Sequence, residues 1–160
     1  MEDFLINYPW VEMIFQLILA LFLGAFLGLE RSYLGKSAGT RTFGLISFGS
    51  CLFTIVSLNA FTKYMYGISS YDPSRIVAQI IAGIGFISMA VVIHRGSDVE
   101  GLTTAVGLWV SAGIGVAVGV NFYILALAAT LITLLVMGFL RLLDLENRLE
   151  SLRLKSKKKK

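Results

Sequence analysis

Between Gly101 and Leu140 the chain runs for 40 residues without an Asp, Glu, Lys, Arg or His. About 20 apolar residues suffice for one helical crossing of a bilayer, so this stretch is long enough to cross twice. Its middle, Gly115-Val-Ala-Val-Gly119-Val-Asn121-Phe122, supplies the turn. Three more charge-free windows precede it: Phe15 to Leu29, extending upstream to Trp10 with Glu12 at the boundary, Thr42 to Thr62, and Ile76 to Ile93. Such windows are a stronger signal here than helical periodicity, because a lipid-facing surface needs no polar stripe. The spans are therefore expected at 10–29, 42–62, 76–93, 101–119 and 122–140. A mean hydropathy of +0.79 with 15% charged residues agrees, since a soluble core of this length hardly accommodates five such segments.

The predicted fold class is all-α: a polytopic integral membrane protein with about five transmembrane helices over 1–140 and a short basic cytoplasmic tail over 141–160. The first span reads as a retained helix, because Glu2 and Asp3 stand where a cleaved signal has a basic region. Cys51 is the only cysteine, so an intramolecular disulfide is excluded, and it reads as an apolar packing residue.

Charge sets the expected orientation. From Arg141 onward there are eight Lys/Arg against three Asp/Glu, and before it six against seven. A basic tail beside an anionic leaflet accounts for this better than nucleic-acid binding. Arg31, Lys36 and Arg41 in the first connection add to the same side, which places the tail in the cytoplasm and the amino terminus outside. In the tail, Leu142, Leu145, Leu149 and Leu152 predict an interfacial helix or a short self-association stripe. Ala20-Gly24-Gly28 and Gly107-Ser111-Gly115-Gly119 keep a four-residue step, so each lies along one helix face where another backbone can approach closely. These stripes predict tight helix packing and a homo-oligomer, with a dimer favoured.

Polar chemistry concentrates in three segments. In the first, Glu30 and Arg31 precede a loop containing Lys36, and Arg41 and Thr42 follow it. Glu30 and Arg41 bracket the loop, where a partly desolvated ion pair would set the helix separation, while Arg31 and Lys36 read as positive-side anchors. In the second, Asp72-Pro73 has the chemistry of a helix start, and Arg75 and Gln79 share a face one turn apart. Arg75 pairs with Asp72 or holds a phosphate. The third runs from His94 through Asp98 and Glu100 to Thr103 and Thr104 in an expected exposed turn. Its oxygens offer a weak Mg²⁺ possibility, a single histidine rules out a polyhistidine site, and no resident cofactor is implied. Trp109 reads as a packing residue. There is no phosphate-binding loop, Rossmann fingerprint, CxxC or HExxH, and no enzyme is indicated.

Three segments, in this order among five spans, resemble the MgtC/SapB membrane-protein family: GLERSYLGKSAGTRTFGLISFGSCLF at 28–53, DPSRIVAQIIAGIGF at 72–86, and GLTTAVGLWVSAGIGVAVG at 101–119. With their helices they cover residues 10–135. Glu30, Arg31, Gly39, Arg41 and Thr42 match the family's first motif, with Thr40 in place of leucine and Phe43 in place of histidine. Asp72, Pro73, Arg75, Gln79, Gly83 and Gly85 match the second. Departures begin at Ile87-Ser88-Met89-Ala90, and His94 replaces a frequent arginine. The resemblance implies a bacterial inner-membrane protein linked to low-magnesium and acid-stress adaptation, here expected as a short form lacking the cytoplasmic domain of many relatives. Its candidate polar residues are Glu30, Arg31, Arg41, Thr42, Asp72, Arg75, Gln79, Thr103 and Thr104. The favoured reading is a regulator or accessory protein in ion homeostasis. Its partners would be membrane lipids, a second copy or another inner-membrane protein. The rivals are a small magnesium or proton transporter and a membrane enzyme acting on lipid headgroups.

Overall fold

The computed structural model describes residues 9–64, 72, 74–95 and 98–139. Helix α1 spans Pro9–Tyr33, α2 Thr40–Tyr64, α3 Ser74–Met89, α4 Leu102–Gly119 and α5 Tyr123–Phe139, with strands β1 Ile93–Arg95 and β2 Asp98–Glu100 between α3 and α4. The chain is an all-α membrane protein. Pro9–Tyr33, Thr40–Asn59 and Leu102–Gly119 are each long and apolar enough to cross a bilayer, and α3 and α5 are shorter apolar helices. The leucine-spaced tail and Pro73 lie outside the described residues.

Helix ends follow local chemistry. At the end of α1 the Gly35 amide bonds to the Ser32 carbonyl and the Lys36 amide to that of Arg31, both at 3.0 Å. Gly35 adopts φ 63°, the left-handed turn that closes a helix in this pattern. The end of α4 repeats it: the Asn121 amide bonds to Val118 O at 3.0 Å, the Phe122 amide to Ala117 O at 2.8 Å, and Asn121 has φ 64°. Asparagine tolerates this conformation because its short polar side chain bonds locally. The turn therefore falls at residues 120–122, and Gly115 and Gly119 lie in the helix, as the expected span 101–119 and its four-residue stripe require. The third apolar window also ends early, at Met89. Ile93, His94 and Arg95 pair antiparallel with Glu100, Val99 and Asp98, so the expected exposed turn is a short hairpin. The β-branched run Val91-Val92-Ile93 favours an extended backbone over another helical turn.

Helices α1, α2 and α4 form the core, and two small-residue stripes explain why they pack so closely. A Cβ on Gly24 would lie 2.6 Å from both the Phe43 carbonyl oxygen and the Ser47 Cβ. One on Gly115 would run into the Ser47 backbone, and one on Gly119 would lie 2.8 Å from the Thr54 Cβ. Ser111 seals the crossing by donating its hydroxyl to Phe43 O at 2.8 Å. Expected tight packing along both stripes is thus present, but both seams are filled within one chain. Neither stripe remains free as the self-association face inferred from sequence.

The outer helices differ. α5 turns Leu131, Leu135 and Phe139 outward as a lipid-facing surface and places Met137 over Gly107. α3 packs against α4 and α2 and buries only Ile84 and Ser88. Trp109 is 51% exposed, so it faces the lipid side and not the core.

Candidate functional site

The α1–α2 junction gathers the polar residues of the first motif. Gly28 lets α2 begin against α1, since a Cβ there would lie 2.6 Å from the Thr40 Cα. Ser32 then caps the second helix: its Oγ accepts the Thr40 amide at 2.8 Å and lies 3.0 Å from the Thr40 hydroxyl. Thr40, which replaces the family's usual leucine, is the residue that completes this contact.

Beside it, Glu30 and Arg31 form an ion pair, with Arg31 Nη2 2.8 Å and Nε 3.0 Å from the same carboxylate oxygen, Oε2. Arg31 is only 5% exposed. That corrects two expectations: Glu30 does not pair with Arg41, which is exposed, and Arg31 is not a free anchor at the boundary. The geometry follows from helix pitch. Residue 31 continues the buried face of Ala20, Gly24, Leu27 and Gly28, so a cation there needs a counter-charge within the protein. Glu30 Oε1 is buried without a hydrogen-bond partner among the described residues, which leaves an acceptor for a proton or cationic group. Thr42 is half-buried, Thr103 exposed and Thr104 buried.

Asp72 and Arg75 sit at the start of α3. Asp72 Oδ1 accepts the Ser74 amide at 2.9 Å, and the Arg75 amide bonds to Asp72 O at 3.2 Å. These Ser74 hydrogen bonds, helped by the nearby Arg75 charge, hold the Asp72 carboxyl below its ordinary 3.8. The helix-start reading of Asp72 is thus realised. Gln79 is exposed and lines a groove between α2 and α3. The nine candidate residues do not converge on one centre, and no group of three or more His, Cys, Asp or Glu among the described residues is arranged to hold a metal.

Sequence reasoning missed a third cluster. Gln16, 4% exposed, donates Nε2 to the carbonyls of Val118 at 3.1 Å and Gly119 at 3.4 Å, and also to Asn121 Oδ1. Tyr123 donates its hydroxyl toward Asn121 Oδ1 at 3.1 Å and Glu12 at 3.4 Å, and its ring meets Phe15 edge-on at 5.9 Å. These contacts fasten the start of α1 to the α4–α5 turn. The available signal was an amide inside an apolar span, where an unpaired polar group is costly and must find a partner.

A close-packed bundle of apolar helices with paired polar groups at its ends defines an integral membrane protein. The chain belongs to the MgtC family, whose model matches residues 17–145. It is 42% identical over 127 residues to the "Putative magnesium transporter YhiD" of Escherichia coli strain K12, covering 79% of this chain and 59% of that protein. It is 40% identical over 134 residues to "Protein MgtC" of Salmonella typhimurium strain LT2, covering 84% and 53%. An uncharacterized Haemophilus influenzae protein is 41% identical over 122 residues, covering 74% and 51%. The chain thus spans between 51% and 59% of the length of these relatives. No solved structure matches it.

Proposed function

We propose that this protein is a regulator or accessory protein of magnesium homeostasis and stress adaptation in the bacterial inner membrane, acting by association with itself or another membrane protein. The magnesium element rests on the names of its relatives and on family membership. The accessory role rests on one observation: the α1–α2–α4 seam is closed by direct backbone approach. Gly24 and Gly115 abut Ser47, and Gly119 abuts Thr54, leaving no width for a hydrated ion. The charge-free windows of the spans offer no ionisable lining for an ion path, and the Thr54 and Ser111 hydroxyls buried among them are engaged by backbone carbonyls. The rival reading, intrinsic magnesium transport, is favoured by the name of the Escherichia coli relative. Reconstitution in liposomes with a Mg²⁺-sensitive dye separates them. An accessory protein leaves the flux at the level of empty liposomes while supporting growth under magnesium limitation, and a protein-dependent Mg²⁺ flux overturns the proposal.

The orientation belongs to the same proposal: the α1–α2 loop cytoplasmic, the α4–α5 turn outside. A cysteine introduced at Lys36 should be shielded from an impermeant reagent in intact cells and one at Ser69, outside the described residues, should be labelled. The reverse pattern inverts the topology.

A further inference from the structure

The surface of α3 facing the α2 groove changes chemistry steadily along its length. Gln79, Gly83 and Ile87 line the groove, and Arg75, exposed at the start of α3, lies one turn before Gln79, just beyond the lining. Four-residue steps keep these positions on one face. Opposite them α2 contributes Gly49, Ser50 and Phe53, and the groove between the two helices has a volume of about 500 Å³. That is within the range of about 300–1,000 Å³ typical of small-molecule sites. Its floor is open on both sides, because a Cβ added to Gly49 or Gly83 would meet no atom within 4 Å. These glycines contrast with Gly24 and Gly115, whose missing side chains are filled by neighbouring helices. Among the described residues, nothing fills the space beside Gly49 and Gly83.

We propose that this groove binds one anionic phospholipid, with the phosphate on Arg75, the ester oxygens at the Gln79 amide and one acyl chain lying against Gly83 and Gly49. Three arguments select this occupant. The first is charge: the Asp72 carboxylate is engaged by the Ser74 amide, and among the described residues Arg75 forms no ion pair, so its guanidinium is available for a phosphate. The second is length. From Arg75 to Ile87 the helix rises about 18 Å. This matches a headgroup plus one leaflet of hydrocarbon, half of the roughly 30 Å core. The third is the order of groups: cation, amide donor, then apolar walls follows phosphate, ester and chain in sequence. Ser50, 4% exposed, adds a hydroxyl to an otherwise apolar wall. A free inorganic anion would use only the Arg75 end and leave the groove empty.

Native mass spectrometry of the full chain released from mild detergent tests this, using phosphatidylglycerol, phosphatidylcholine and inorganic phosphate as probes. Wild type should retain one phosphatidylglycerol per protomer, about tenfold more tightly than phosphatidylcholine, whose choline cation offsets the phosphate charge and is repelled by Arg75. Arg75→Gln should erase that preference while keeping a lipid bound. Gly83→Leu and Gly49→Leu, each placed where an added Cβ meets no atom within 4 Å, should lose both lipids, with unchanged helical content by circular dichroism. Inorganic phosphate should displace nothing. Equal retention of the two lipids by wild type, lipid retention by both leucine variants, or displacement by phosphate would each overturn the site. So would a wild-type dimer, lipid-free at the groove, that Gly83→Leu dissociates, since the occupant would then be a second copy.

Discussion

Gly113 and Gly115 lie two residues apart on α4 and meet opposite surroundings, so one substitution applied to both isolates the cost of close approach. A Cβ at Gly113 meets no atom within 4 Å, whereas one at Gly115 collides with the Ser47 backbone, its carbonyl carbon at 2.8 Å and its Cα at 3.0 Å. Glycine to alanine within a helix contributes about 0.5–1 kcal/mol on scales measured in water, and this gain is common to both sites. Only Gly115→Ala adds overpacking, typically about 1–3 kcal/mol, against a backbone that cannot rotate away as a flexible side chain would. The expected ranking is Gly113→Ala at or slightly above wild type, with Gly115→Ala lower than Gly113→Ala by about 1–3 kcal/mol. Because α2 and α4 must separate, Ser111 should also lose its bond to Phe43 O, which moves the difference toward the upper end. Reversible unfolding in mixed micelles, followed by far-ultraviolet circular dichroism, measures the difference directly. Equal stability of the two variants would refute the argument that α2 and α4 touch backbone to backbone at this point.

Other expectations follow from the polar contacts. Gln16→Leu strips side-chain donors from the end of α4 and should cost about 1–2 kcal/mol, read as faster hydrogen exchange around the α4–α5 turn. Arg31→Gln leaves Glu30 without its partner and should destabilise by about 3 kcal/mol, the low end for a buried pair because Glu30 keeps some exposure, while Arg41→Gln should unfold like wild type. If Arg41→Gln still loses growth support under magnesium limitation at normal abundance, its role is functional and not structural. The Asp72 carboxyl is held below 3.8, first by its Ser74 hydrogen bonds, so its contribution to the α3 start is complete above that value and disappears as pH falls through the lowered one. Protection of the Ser74 amide, taken relative to its intrinsic exchange rate at each pH, should fall over that acid range in wild type and be low at all pH values in Asp72→Ala.

Charge-free runs made the helical membrane class legible, because a bilayer cannot hydrogen-bond exposed backbone and so restricts a spanning segment to a few solutions. The four-residue glycine steps showed which faces could be approached, and the Asp72 helix start was written in local chemistry that needs no tertiary partner. The sequence alone could not say which backbone would occupy each stripe. Gly115 meets Ser47 and Gly24 meets Phe43 only once three helices come together, and glycines at equal spacing look alike whether their neighbour is the same chain, another copy or lipid. Pairing among charges was equally undetermined: Arg31, not Arg41, took Glu30 because helix pitch carried residue 31 onto the buried face. Gln16 showed the same division. Its presence in an apolar span announced a need for partners, and only the tertiary structure supplied them across more than 100 residues of sequence, in carbonyls at the end of α4. The sequence by itself determined the solvent this chain lives in and roughly where its spanning segments lie, since both depend on local composition. Tertiary structure alone decided which small faces are filled and which charges meet, since both depend on what long-range packing brings opposite them.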